Sequence, residues 1–473
     1  MATTDLSPAE QEVVRAVRTG SRADLGGRPI RASVVAGLLV APPDDGETPA
    51  RALQLRDAVL TGLLDVSYAD VPVPAHFDAC RFEEAVRFTG ASTRTLQFSD
   101  CELPGVQARL ATVRGDLRLS GSTVTGPVLL ENLQLSGTLL LNRARLVNPQ
   151  DRALSAGGMV VGGGVVGRGG LQVSGEARLI GARVDGGLLF EGARFSRPGG
   201  VALCLDDVVV DRLLCGDGFT ADGQLLLRGA RVTGEVNFYD ARLLAPDRAL
   251  RARGLAAGEL ILMPAQVEGL VDLSRVQVGA LRDAPDRWPA AMRLDGFTYD
   301  HLLPMGAGVG VGQRCRWLAR DAQSYRPQPF EQLAAYYRRL GHDDDARRVL
   351  LAKERRRRAT LHPLRRVSGY LLDGLVGYGY RPWLAAAWLA VLVAVGTAVF
   401  GARPPVPLDP DHHPHFAAAV YTMDLLIPIG AFGLRGAYDP VGATQWVADC
   451  LIAAGWILAT ALVAGVSRTI GRD

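Results

Sequence analysis

The chain lacks most of the signatures by which enzymes and secreted proteins are recognised. Its 473 residues hold six cysteines (Cys80, Cys101, Cys204, Cys215, Cys315 and Cys450), with no CxxC pair and no metal-like spacing. That excludes a disulfide framework and a zinc module, and it suggests a reducing compartment in which thiols act as small core hydrophobes. Gly-x-Ser-x-Gly and His-Glu-x-x-His do not occur, and no paired carboxylates stand out. No catalytic, cofactor-binding or metal-ligating residue is therefore assigned. Residues 1–20 are polar and charged, so no N-terminal signal peptide is expected. A net charge of +3 is too small to imply a nucleic-acid partner, and 55 glycines without a Gly-X-Y period exclude collagen.

What the chain does have is an eleven-residue period. Counting from Gly115, Gly126 and Gly137, offsets two and four are Leu117 and Leu119, Val128 and Leu130, Leu139 and Leu141. Offsets seven and nine continue the alternation, as in Leu133 and Leu135 or Ala144 and Leu146. The pattern runs from 51 to 278, with anchors that include Gly62, Gly175, Gly186, Gly223, Gly234, Gly258 and Gly269, and also Arg51 and Val73. Two short strands with a bend between them fit this spacing. One such pair cannot bury its inner face alone, so neighbours must stack into a solenoid.

Offset seven is usually small (Ala58, Ala69, Cys80, Ala91, Cys101, Ser122, Ala182, Ala193, Ala230), as an inward position at a bend of a narrow coil requires. Two segments per coil predict about ten coils, a rod on the order of 50 Å at ~4.8 Å per coil. The register lengthens at 147–152, 196–199 and 244–248, which predicts loops stacked on one corner; two of them carry Asp-Arg-Ala-Leu. With its stacked small and aliphatic residues, the repeat resembles pentapeptide-repeat right-handed β-helices. Over nearly its whole length, including Gly379-Tyr380-Arg381-Pro382-Trp383, the chain resembles actinobacterial membrane proteins often labelled membrane-associated oxidoreductases. That resemblance implies a fold and a membrane location.

The ends follow a different grammar. Ser7-Pro8-Ala9-Glu10 is a capping box that predicts a helix to about Gly20, and a second helix is predicted over 28–40 with Ile30, Val34, Val35, Leu38 and Leu39 buried. Residues 1–50 thus form a helical cap, 51–300 the solenoid, and 313–363 a helical hairpin (327–340 and 343–360) with a basic juxtamembrane segment. Residues 364–473 form a membrane domain with spans at about 383–401 and 446–466 and a short re-entrant or interfacial helix at 416–427. Positive charge flanks the spans at Lys353, Arg355, Arg356, Arg357, Arg358, Arg365 and Arg366, and again at Arg468 and Arg472. The positive-inside rule then places the solenoid and both termini in the cytoplasm, at the cell membrane.

Each chemical constellation has a plain counterpart. Gly162, Gly164 and Gly167 satisfy G-x-G-x-x-G, yet strand-like residues follow where a dinucleotide site needs a helix; they read as corner glycines. Arg145, Arg194 and Arg242 recur two coils apart, with Arg183 and Arg231 on the opposite side, and form either a ladder for an anionic partner or a charge-mixed solvated face. The basic cluster from Lys353 to Arg366 suits lipid headgroups. His412, His413 and His415 read as a polar loop. Span, short helix, glycine-containing turn and span resemble a two-helix channel module, with Asp424, Pro428, Gly430 and Gly433 as pore candidates; an interfacial helix packing the two spans is the alternative.

The reading is a membrane-anchored β-solenoid acting as a non-enzymatic scaffold. Its expected partners are membrane lipids, an unknown protein on the solenoid, and further copies of itself through the membrane domain. An oligomeric channel with a solenoid sensor is the alternative. An oxidoreductase is the third, resting on the family label.

Overall fold

Stacked apolar residues on successive turns define the fold: Leu117 pairs with Leu139, Leu139 with Val165, Val165 with Leu188 and Leu188 with Leu213, always in parallel register. The computed structural model describes residues 6–42, 52–305, 308–321, 325–362, 370, 373–374, 377–379, 382–409, 414–427 and 432–470, with 379, 382 and 461–470 as backbone only. It divides into two compact units, 1–332 and 333–473. The first is a parallel β-solenoid of about 11 turns.

Each eleven-residue segment supplies two sides of a four-sided turn. We name the sides A to D in chain order; in one turn they begin at Leu117, Thr123, Val128 and Gln134. Offsets two, four, seven and nine point inward and are buried, as in Leu139, Leu141, Ala144 and Leu146. Filling the axis with aliphatic side chains is the main source of stability, at about 1.5–3 kcal/mol for each large one buried. Side A adds an aromatic stack, with the rings of Phe77 and Phe98 on successive turns 5.1 Å apart and nearly parallel. The small residues of offset seven do more than save space. Cys101 Sγ accepts from the Cys80 amide at 3.4 Å, and Ser122 Oγ accepts from the Cys101 amide at 2.9 Å, so bend amides are satisfied inside the core.

The bend itself lies at offset six, where the backbone is left-handed. Asp57, Asp100, Asn132, Asp207, Asp217 and Asp240 have φ near +50°, and Gly90, Gly121, Gly158 and Gly181 take the same role elsewhere. Asp, Asn and Gly tolerate that conformation best.

The three register extensions fall on the corner between sides B and C, on alternate turns. Beneath each lies a glycine of the following turn. A Cβ at Gly175 would sit 2.3 Å from the Asn148 carbonyl, one at Gly223 2.6 Å from that of Arg197, and one at Gly269 2.1 Å from that of Ala245. A long corner folded over a glycine corner therefore repeats three times.

Both ends of the solenoid are closed. Helix α1 (Pro8–Thr19) has the full capping box, with Ser7 Oγ accepting from the Glu10 amide and Glu10 accepting from the Ser7 amide. The second predicted helix begins later than expected: residues 28–31 belong to a strand, β1 (Ala23–Arg31), and α2 spans Ala32–Val40. The first turn exposes an open ladder edge, and pairing Arg28–Arg31 with Ala58–Thr61 covers it; Pro29 is tolerated on such an edge. At the far end the ladder continues to Pro304, beyond the expected limit of 300, and α3 (Val311–Leu318) packs against the last turn. Gln328 and Gln332, in the first part of α4 (Gln328–Arg339), donate to the carbonyls of Phe297 and Tyr299, and Gln328 also accepts from the Gly296 amide.

The second unit contains α5 (Asp343–Ala359), α6 (Pro382–Ala402), α7 (Ala418–Leu426) and α8 (Ala443–Ile470). Gly341, at φ +75°, turns α4 into α5 as the sequence predicts. Within α6 and α8, Trp383–Ala402 and Ala443–Thr460 are long and apolar enough to cross a membrane. Short α7 packs against both at glycines: a Cβ at Gly396 would overlap the Thr422 side chain, and one at Gly455 would lie 2.1 Å from the Leu426 carbonyl. Phe400, Tyr421, Leu425, Leu426, Tyr438 and Leu451 form the core between them.

Candidate functional site

Side B carries the arginine row. The register runs Thr123, Arg145, Gln172, Arg194, Thr220, Arg242, Gln266 on consecutive turns, so the three arginines stand two turns apart, on the side bordering the corner loops. Their surroundings differ. Arg194 lies 3.9 Å from the Asp222 carboxylate, and Arg242 donates to Gln266 at 2.9 Å, which in turn donates to Glu268. Arg145 is exposed, and its guanidinium has no hydrogen-bond or ion-pair partner among the described residues. Arg183 and Arg231 stand on side D, across the turn, as the spacing predicts.

Side D also holds a depression of about 610 Å³. Its outward row has the small Ala256 between Arg231 and Gln277, and Arg231, Thr233, Gln277, Gly279 and Thr298 line it. It is open, and among the described residues no cluster of three metal-ligating side chains occurs.

Of the glycines at 162–167, Gly162, Gly163 and Gly164 lie at a corner, whereas Gly167, read from the sequence as a corner glycine, takes a buried inward position on side A, where a Cβ would lie 2.4 Å from the Leu171 side chain and 3.1 Å from that of Phe190. Cβ atoms at Gly162 and Gly163 would each fall 2.7 Å from a carbonyl of the preceding turn, and the strand that follows begins at Gln172. No helix starts there to receive a pyrophosphate.

In the second unit the candidates separate. Asp424 is fully buried, and its two carboxylate oxygens accept from the amides of Phe432 and Arg435 at 2.9 and 2.8 Å. It anchors the segment that returns to α8, where the pore reading needs it on a water path. Gly433 has φ +72° in that same return segment. Pro428 and Gly430 lie outside the described residues, as do His412 and His413, while His415 Nδ1 is 3.3 Å from the Phe416 carbonyl.

The basic cluster is partly neutralised. Lys353 is buried, with its ammonium 3.6 Å from Glu354, so it does not face headgroups. Arg355 and Arg358 both bind Asp373 at 3.0 Å, Arg358 stacks on Tyr370, and Arg357 reaches Glu354 at 3.6 Å. Those arginines hold the Asp373 carboxyl below its usual range against the opposing effect of burial. Arg355 and Arg357 are exposed, Arg356 is partly buried, and Arg365 and Arg366 lie outside the described residues.

One surface is missed by the two-and-four, seven-and-nine grammar. Offset three points outward on side A, and there Leu140, Val166, Leu189 and Leu214 follow one another on four turns. The signal is apolar residues at offsets two and three together. No protein family, curated protein or solved structure matches the chain.

Proposed function

We propose that the protein is a membrane-anchored, non-enzymatic scaffold whose solenoid offers side B and its corner ridge to a protein partner. The observation that carries this reading is the coincidence of two periods on one edge. Loops at 147–152, 196–201 and 244–248 recur every second turn, and Arg145, Arg194 and Arg242 recur with them. A rigid array of that kind suits a partner that is itself extended. The exposed apolar residues of α6 and α8, among them Trp383, Val391, Val395, Trp456 and Ile457, suit lipid or further copies of the chain. Arg355–Arg358 at the end of α5 suit anionic headgroups and a cytoplasmic solenoid at the cell membrane. The four-sided coil with small inner bends also supports grouping the chain with pentapeptide-repeat-like actinobacterial membrane proteins. A channel is the weaker reading, because the burial of Asp424 on two loop amides favours α7 as a packing helix.

The test is photo-crosslinking in cells, with a photoreactive residue in place of Gln172 in the full-length chain. The expected adduct is lost when Arg145→Glu, Arg194→Glu and Arg242→Glu are combined and kept when Arg183→Glu and Arg231→Glu are combined on side D. No adduct, or one indifferent to both sets, would sink the scaffold reading of this edge.

A further inference from the structure

We infer that side A is a self-association face on which a second copy of the solenoid packs antiparallel, about a two-fold axis between the Val166 and Leu189 turns. The outward row of side A reads Arg118, Leu140, Val166, Leu189, Leu214, Asn237 on six consecutive turns. Its four aliphatic members are partly exposed and in line, over roughly 15 Å at the ~4.8 Å spacing of neighbouring strands. Contiguous apolar surface rimmed by polar residues marks a contact site. The corner beside Val166 and Leu189 is glycine on both turns: Gly187 has φ +96° with the Arg212 carbonyl 2.8 Å from where a Cβ would lie, and Gly164 sits 3.3 Å from the Gly187 carbonyl by the same measure. These two corner positions carry no side chain of their own, and only that of Arg212, on the next turn, lies alongside, with its Cγ 2.7 Å from where a Gly187 Cβ would be.

The charges beside the row select both the occupant and its direction. On the other flank Arg168 and Glu191 stand on the two central turns, paired at 2.7 Å. An antiparallel two-fold places Arg168 of each copy over Glu191 of the other, Val166 over Leu189 and Leu140 over Leu214. At the ends it brings Arg118 of one copy beside Glu235 of the other. Neither Arg118 nor Glu235 has an ion-pair partner within the chain among the described residues, and Arg118 Nε is buried without a hydrogen bond. A parallel two-fold would instead set Arg168 and Glu191 over the glycine corner, where each keeps only its partner within its own copy. Complementary charge fixes register in this way more than it adds affinity. The row is short of the ~800 Å² per partner of a standard interface, so the association is reversible.

The test uses two pools of full-length protein in detergent, Leu140→Cys and Leu214→Cys, each also carrying Cys315→Ser and Cys450→Ser. The remaining cysteines are buried. Under mild oxidation the mixed pools form a disulfide-linked dimer and the separate pools do not, because like positions lie about three turns apart, beyond disulfide reach. Adding Arg168→Glu to both pools abolishes the dimer, and adding Glu191→Arg as well restores it. Dimers in the separate pools, or none in the mixture, would overturn the antiparallel face. A dimer unaffected by Arg168→Glu would do the same for the charge pairing.

Discussion

Two buried carboxylates, one at each end of the solenoid, show how single residues close it. Asp283 accepts two guanidinium bonds from Arg314 and a third from the Trp288 indole at 2.8 Å, while the guanidinium lies 5.4 and 5.7 Å from the ring centres of Trp288 and Trp317. Both charges are at most 2% exposed. Removing one partner of such a pair strands the other, so Arg314→Met is expected to destabilise by about 3–5 kcal/mol, whereas Asp283→Leu with Arg314→Met recovers much of it. Denaturant unfolding followed by tryptophan fluorescence reads both, and a loss under about 0.5 kcal/mol for the single variant would remove the clamp from the account. At the other end Glu10 binds the Arg31 guanidinium and amide as well as its own cap. The Arg31 hydrogen bond is the main reason its pKa falls from 4.5 to about 2. A carboxyl lowered by folding stabilises above its unfolded pKa and loses that contribution as pH falls through the folded one. The stability gap between the natural chain and Glu10→Gln should therefore be widest at neutral pH, on the order of 1–2 kcal/mol once the half-exposed Arg31 is screened by solvent, and shrink between pH 4.5 and 2, as thermal melts at stepped pH would show. A gap independent of pH would mean that Glu10 acts only by shape.

Among the elements, the corner is where sequence and structure meet most directly. Gly175 at φ +120° and Gly181 at φ +65° look alike in sequence, but only the first has a carbonyl where its Cβ would go. Gly175→Ala is expected to cost about 1–3 kcal/mol and Gly181→Asn to stay within about 0.5 kcal/mol, measured by denaturant melts of each variant. Equal losses would mean that backbone conformation matters and the overlying loop does not. The eleven-residue spacing is legible because every turn restates it, so one ambiguous residue is outvoted by its column. Aligned in the same way, offset six shows its bend through Asp57, Asp100, Asn132 and Gly121, a signal present in the sequence but not read. Features that occur once have no column. Nothing local distinguishes Arg28–Arg31 as strand, since a ladder edge formed by Ala58–Thr61 decides it. Arg314 looks like any helical arginine until the last turn supplies Asp283. Asp424 reads as a charge in an apolar run, and only the return of residues 432–435 shows what it binds.

For the molecule as a whole, the asymmetry of charge about the apolar helices makes orientation a sharp question. α5 ends in Arg355–Arg358, while the described part of the segment joining α6 to α8 carries only Arg403 and Arg435 as cations. That segment is not featureless: Val406–Pro407 pairs antiparallel with Tyr438–Asp439, and the Tyr438 hydroxyl donates to the Pro414 carbonyl. It forms a small ordered lobe beyond the ends of α6 and α8. If α6 crosses the bilayer with arginine retained inside, this lobe is external and α5 internal. Leu408 and Arg347 are both exposed and suit a cysteine reporter in a chain carrying Cys315→Ser and Cys450→Ser. Burial pushes the Cys204 thiol up to about 11 and raises Cys215 well above the ordinary thiol value, which keeps these natural thiols from competing for label. With a membrane-impermeant maleimide on intact cells, Leu408→Cys should label at once and Arg347→Cys only after permeabilisation. The reverse order would invert the orientation. Labelling of both in intact cells would mean that no bilayer separates them, and α6 would then be an apolar helix that lies against a membrane or a partner without crossing.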